Sequence, residues 1–352
     1  MAENLKEKTI KGLFWGAMNS GTTQLLNLVI GISLGRLIGP AEYGIVGVLS
    51  IFTLIAGNLQ SSGFTQALVN LKAPRNEDYT AVFWFNTLTS FVLYALLFLS
   101  APLIARFFHQ PCLVEVSRFV FLSFVISSFG IAHNAYMTKN MMNRELAIIG
   151  AIALLCSGGV ATFLAFYGFS YWSLAWQQII YITVLNIGRY YYTPWRPSWH
   201  FTFEPVRKMF GFSVKILITN IINTLSNNIL TLLFGRLYPI KAVGDYSQAY
   251  KWNTMASAFV ANAVGQVAQP VLASVKEEQG RSVRVFRKML RFTAFLSFPA
   301  MFGLAIISNE FILLTIGKRW IDAVPLLQML CIGGAFVPFY TLYQNVAISN
   351  GR

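Results

Sequence analysis

The chain has 352 residues, of which 55% are hydrophobic, 15% aromatic and only 11% charged, with a formal net charge of +14. Soluble domains carry about 25% charged residues, so this composition excludes a soluble globule whose surface must be covered by polar groups. Repeated apolar runs of about 20 residues match the hydrocarbon thickness of a bilayer, and the expectation is a polytopic helical membrane protein.

Apolar runs set against breakers predict ten spans, at 12–34, 44–69, 80–105, 114–137, 146–167, 171–188, 210–234, 246–272, 291–314 and 324–348. The first is longer than a signal-peptide core and has no small-x-small cleavage site, so it reads as a membrane helix. It ends at "LGRLIGPAEYG", Leu34 to Gly44, a short polar joint before the second span. Links rich in Gly, Pro, Asn and charge follow the later spans. The long polar stretch Arg189 to Lys208, with three prolines and several aromatics, predicts an interfacial linker. In the fourth span Arg118 has Glu115 three residues earlier, the spacing of a helix-end pair.

Lysines and arginines fix the orientation. With a cytoplasmic N-terminus, eighteen of the 27 fall inside and six outside, which also accounts for most of the positive charge. Nucleic-acid binding is then an unnecessary reading of that charge. The basic run "RSVRVFRKMLR" reads as a cytoplasmic helix start against anionic headgroups. Cys112, Cys156 and Cys331, like His109, His133 and His200, are scattered and suggest neither a disulfide framework nor a metal site.

The joint recurs as "FGRLYPIKAVGDYS", Phe234 to Ser247. Gly35-Arg36-Leu37 and Gly235-Arg236-Leu237 are offset by 200 residues, and three extra residues in the second loop bring Glu42-Tyr43 onto Asp245-Tyr246. Spans one to six thus form one unit, and spans seven to ten repeat its first four. The expected fold is all-α, with two six-helix bundles related by a pseudo-two-fold along the membrane normal. The predicted parts are an N-terminal bundle over 1–188, a linker over 189–208 and a C-terminal bundle over 209–352. The second copy holds four helices of six, so about ten of an expected twelve are present, and the sequence reads as truncated.

In the seventh span Lys215, Thr219, Asn223 and Asn227 recur every four residues, a polar stripe on one helix face. The first span carries the matching stripe Trp15, Asn19, Thr23 and Asn27. Both stripes are expected to face a cavity between the halves, with interhelical hydrogen bonding as the other reading of the amides and snorkelling as the other reading of Lys215. Lys251, inside the eighth span, is open to an anion or to snorkelling beside Trp252. No span holds an Asp or Glu away from its ends, and Asp245 comes nearest. Such a cavity suits a ligand anionic at one end and sugar-like elsewhere. Neither a phosphate-cradling glycine loop nor a nucleophile constellation is evident, so no enzyme is expected.

"LGRLIGPAEYGIVGVLSIF", "SSGFTQALV" and "FGRLYPIKAVGDYSQAYKW" closely resemble the Wzx-type polysaccharide flippases of the multidrug/oligosaccharidyl-lipid/polysaccharide exporter superfamily, over essentially the whole chain. The resemblance implies a transporter that moves an undecaprenyl-pyrophosphate-linked oligosaccharide from the inner to the outer leaflet of a bacterial inner membrane by alternating access. An ion gradient (sodium or proton, with no site assigned) or the substrate gradient would drive it, with no cofactor. Lys215 and Lys251 are the positions that would hold the pyrophosphate, although Trp15 gives the first half no matching cation. Arg36, Gly39, Pro40 and Arg236 would form the periplasmic joints between gate helices. Implied partners are the lipid-linked oligosaccharide, membrane lipids and other polysaccharide-assembly proteins, and a monomer suffices. A multidrug extruder of the same architecture is the alternative function, and a scaffold for polysaccharide synthases is a third.

Overall fold

The computed structural model describes residues 21–61, 63–199, 202, 204–274 and 279–349, and among these it contains helices and no strand. Apolar runs in a bilayer leave no water for backbone groups, so helices that bond internally are the economical solution. The helices are α1 (21–37), α2 (Pro40–Ser61), α3 (Phe64–Asn70), α4 (Asn76–Phe108), α5 (Leu113–Lys139), α6 (Asn143–Phe166) and α7 (Tyr171–Tyr192). They continue as α8 (Glu204–Leu237), α9 (Ile240–Ser274), α10 (Gln279–Ile306), α11 (Ser308–Thr315), a 3-10 turn at Lys318–Trp320, α12 (Ala323–Gly334) and α13 (Val337–Ser349).

Where the structure describes them, the predicted spans fall on helix, residues 12–20 of the first lying outside the described residues, but three spans are broken. The second divides into α2 and α3, the ninth into α10 and α11, and the tenth into α12 and α13. The first break has a clear cause. Gly63 takes a left-handed φ of 71°, and a Cβ there would lie 2.7 Å from the Ser213 carbonyl oxygen of α8. Only glycine meets both conditions without strain. At the third break Ser297 of α10 donates to the Ala335 carbonyl at 2.6 Å, satisfying an oxygen that the helix has released.

Among the described residues, seven stretches are long and apolar enough to cross a membrane: Pro40–Leu59, Asn76–Phe108, Leu113–Lys139, Asn143–Phe166, Glu204–Leu237, Val283–Ile306 and Ala323–Gln344. The large side chains they leave exposed, such as Leu96, Leu99 and Leu103 on α4 and Leu155 and Phe163 on α6, are those a lipid tail would cover.

The chain forms two compact units, residues 1–38 with 42–240, and residues 39–41 with 241–352. In the first, α8 packs on α3 and α4. One end of this unit holds a core of Phe64, Leu68, Tyr79, Phe83, Trp195 and Met209. Trp195 brings the linker into that core, and Trp84 Nε1 donates to the Ser198 carbonyl at 2.8 Å. The linker is accordingly shorter than predicted. Arg189–Tyr192 belong to α7, Glu204–Lys208 belong to α8, and Trp195 is buried in protein instead of lying at the interface. Lys139 caps α3 by donating to the carbonyls of Val69 (2.8 Å) and Leu71 (2.5 Å), placing a cation at a helix C-terminus. Leu34, Ile38, Ala161 and Leu174 join α1 to α6 and α7.

Arg118 does not pair with Glu115 as its spacing suggested. Its guanidinium lies 4.2 Å from the Phe98 ring centroid, and Nε donates to the Phe98 carbonyl on α4 at 3.4 Å. In the second unit Val260, Val264 and Leu342 form a core with Phe286, Leu290 and Leu296, and Trp320 is fully buried.

Candidate functional site

The two joints have one geometry. Helix α1 stops at residue 37 and α2 starts at Pro40, while α8 stops at Leu237 and α9 starts at Ile240. The bond from Ile38 N to the Leu34 carbonyl (2.8 Å) recurs 200 residues later from Tyr238 N to the Phe234 carbonyl (2.9 Å). The second loop is therefore no longer than the first. The three extra residues sit inside the first turns of α9, which starts at Ile240 directly after Pro239 and runs on through Asp245-Tyr246. Pro40 opens α2, where its missing N–H costs nothing.

Of the joint residues, Pro40 is buried, Gly39 half-buried, and Arg36 and Arg236 exposed. Arg236 donates to the Phe107 carbonyl at 2.9 Å and to the His109 ring at 2.9 Å, and its guanidinium lies over the Phe107 ring. It thus ties the end of α8 to the end of α4. Gly235 sits against Phe108, where a Cβ would come within 2.8 Å of that ring.

On α8 the polar stripe stands clear of the protein core. Lys215, Thr219, Asn223 and Asn227 are all exposed, and Thr219 Oγ1 donates back to the Lys215 carbonyl at 3.0 Å. Among the described residues Lys215 has no acid partner, and the only acid of α8, Glu204, is paired with Lys208 at 2.7 Å. On α1, Thr23 and Asn27 are half-buried, and Asn19 lies outside the described residues. The sequence reading missed a second polar row on α8. Asn58 of α2 donates to Thr224 Oγ1 at 2.7 Å, and Asn228 donates to the Thr224 carbonyl at 2.9 Å. The signal was present in "NTLSNN", whose amides and hydroxyls serve both faces of the helix.

Lys251 belongs to the second unit. It is half-buried on α9 and has no acid partner among the described residues. Trp252 does not share its direction: its side chain is 3% exposed and meets Phe311 edge-on at 5.2 Å, so it offers Lys251 no company at an interface. The neighbouring polar side chains Asp245, Gln248 and Asn253 are buried.

Residues 33–325 match the family described as "Polysaccharide biosynthesis protein". The chain belongs to the polysaccharide biosynthesis protein family. Curated relatives include the Escherichia coli (strain K12) lipopolysaccharide biosynthesis protein WzxC, 26% identical over 94% of this chain and 68% of its own length. The Bacillus subtilis (strain 168) teichuronic acid biosynthesis protein TuaB is 26% identical over 99% of this chain and 73% of its own length. Among solved structures, the lipid II flippase MurJ superposes with a TM-score of 0.73 at 13% identity, covering 96% of this chain and 76% of that one. An inward-facing multidrug-resistance MATE transporter of the MOP superfamily gives 0.70 at 14% identity, covering 94% and 81%. At such identities the likeness is one of fold. This is a multi-pass membrane protein of polysaccharide biosynthesis, all-α, with the two-bundle fold of those transporters.

Proposed function

We propose that the protein is a flippase that carries a lipid-linked, undecaprenyl-pyrophosphate-borne oligosaccharide from the cytoplasmic to the periplasmic leaflet of a bacterial inner membrane, with its N-terminus cytoplasmic. The observation that carries this reading is the exposed row Lys215, Thr219, Asn223 and Asn227 on α8, whose one charge is positive and uncompensated among the described residues. An ammonium in a membrane helix is costly and marks a ligand path when it lacks a partner. Amides and a hydroxyl beside it match sugar hydroxyls, and a cation matches pyrophosphate. Lys251, half-buried on α9, is a further cation with no acid partner among the described residues. A cationic drug would find no acid in this row, since the only acid of α8, Glu204, is paired with Lys208. The names of the relatives, in lipopolysaccharide, teichuronic acid and succinoglycan biosynthesis, support a glycan cargo.

Transport requires no covalent chemistry. Alternating access needs only that the cargo and the driving gradient favour different conformations. The test is a leaflet-translocation assay in proteoliposomes with lipid-linked glycans, comparing wild type, Lys215→Ala and Lys251→Ala. A charge-assisted hydrogen bond contributes about 1.5–3 kcal/mol, so each variant should lose about 10- to 100-fold in apparent affinity. Unchanged affinity in both variants removes the assignment of these lysines, and absence of translocation by the wild type removes the flippase reading.

A further inference from the structure

Asp245 is the least expected residue of the second unit. It lies just outside the predicted span 246–272, where an acid should meet headgroups and water, yet its side chain is only 2% exposed. Among the described residues its Oδ1 has no hydrogen-bond partner. The nearest candidate counter-ion is already committed: Lys241, one turn earlier, donates to Asp322 Oδ2 at 2.5 Å. Among the described residues, Lys241 on the same helix and Asp322 in the turn before α12 are the charged groups that act on Asp245, with opposite effects. The amide Nε2 of Gln248, 1% exposed and one turn further on, is likewise unpartnered.

An ionised carboxylate buried there, with Oδ1 unpartnered and the one nearby cation engaged by Asp322, is a costly arrangement. A neutral carboxyl has no such penalty, and its new O–H is a donor. We propose that Asp245 is an exchangeable-proton site: the carboxylate takes a proton from the outer aqueous phase and returns it there, with the half-exposed Lys241–Asp322 pair as the route to water. No other bond changes; water gives up the proton and Asp245 becomes the neutral acid. Ionisation then demands solvent, so the charge state of Asp245 sets whether the first turns of α9 stay packed.

Any use of this proton in driving transport rests on the flippase reading, whereas the proton site itself does not. The test is therefore spectroscopic. The full chain in lipid nanodiscs is titrated while the carbonyl stretch of protonated carboxylic acids is followed by infrared difference spectroscopy. The wild type should show an acid band that Asp245→Asn abolishes. Asp322→Asn frees Lys241 for Asp245 and should move the midpoint to lower pH. Lys241→Met removes the favourable charge and should move it to higher pH. A titration in which Asp245→Asn removes no component of the wild-type acid band overturns the proposal, as does a midpoint of that component that Asp322→Asn and Lys241→Met leave in place. The latter two readouts stand even if Asp245→Asn fails to fold. Proton-dependent translocation in the assay above, lost in Asp245→Asn while the glycan still binds, would add coupling to binding.

Discussion

Asn58 Nδ2 of α2 donates to Thr224 Oγ1 of α8 at 2.7 Å, and the two residues are 166 apart in the chain. It is a side-chain hydrogen bond between two membrane helices, where interhelical polar pairs contribute about 0.6 kcal/mol on average and up to about 1.7. Asn228 donates separately to the Thr224 backbone carbonyl, so the pair with Asn58 is the interhelical contact that the Thr224 hydroxyl makes with α2. Thr224→Val keeps the shape and removes the partner. The expected outcome is a loss of stability within that range, and no loss of glycan affinity, because Thr224 is on the other side of α8 from Lys215. Thermal inactivation in detergent and substrate titration check the two halves. A matching loss of affinity would place the binding face on the α2 side.

Gly63→Ala should be among the most damaging single-methyl changes in the first unit. The left-handed backbone costs a non-glycine residue about 1–2 kcal/mol. The added Cβ would also lie 2.7 Å from a backbone oxygen, Ser213 O, and 3.0 Å from the Ile216 side chain. Backbone cannot step aside cheaply, so α3 and α8 must separate. The expected total is a destabilisation of about 2–4 kcal/mol, visible as a lowered apparent melting temperature at fixed scan rate. Gly57→Ala, with open space around it on α2, is the control and should be close to neutral.

How far these features were legible in the sequence depends on which contacts decide them. The 200-residue offset was readable from Gly35-Arg36-Leu37 and Gly235-Arg236-Leu237, and both joints do end and start their helices in the same register. That follows because a Gly-Pro or Tyr-Pro break acts through local sterics. The break at α12–α13 had local warning too, in Gly333, Gly334 and Pro338, but an apolar run masked it. Burial of Trp195 and Asp245 had no such signal. A tryptophan among prolines and an acid before a span look interfacial by pattern, and only tertiary packing decides that both are covered. The stripe on α8 was readable from its period of four; Asn58 as a partner was not, because nothing local links α2 to α8.

Lys139→Met tests the cap on α3. Its ammonium serves the carbonyls of Val69 and Leu71, the end of a seven-residue helix too short to be stable alone. Methionine preserves the packing of the stem and removes both hydrogen bonds, each of which, made by a charged donor, contributes about 1.5–3 kcal/mol. Local opening should appear as faster amide hydrogen exchange over Phe64–Asn70, with α5 itself unaffected. Exchange that rises equally along α5 would mean that Lys139 supports the bundle and not the cap.

The pH dependence of stability follows from Asp245. Burial pushes its carboxyl from an ordinary 3.8 up to about 6, Asp322 adds to that rise, and Lys241 opposes it. A group whose folded-state value is raised holds its proton in the native state where the unfolded chain has already released it. Between about pH 4 and pH 6 the native state therefore binds more protons, and its stability falls as pH rises through that window. Above it the ionised, buried carboxylate remains a constant burden. Asp245→Asn removes the titration while keeping the shape, so the variant should lack this fall and exceed the wild type in stability at neutral pH, with the two converging in acid. Thermal inactivation of both proteins across that range, at constant ionic strength, measures the difference. A wild-type stability that climbs with pH through the window, as a paired carboxylate would produce, contradicts a neutral Asp245.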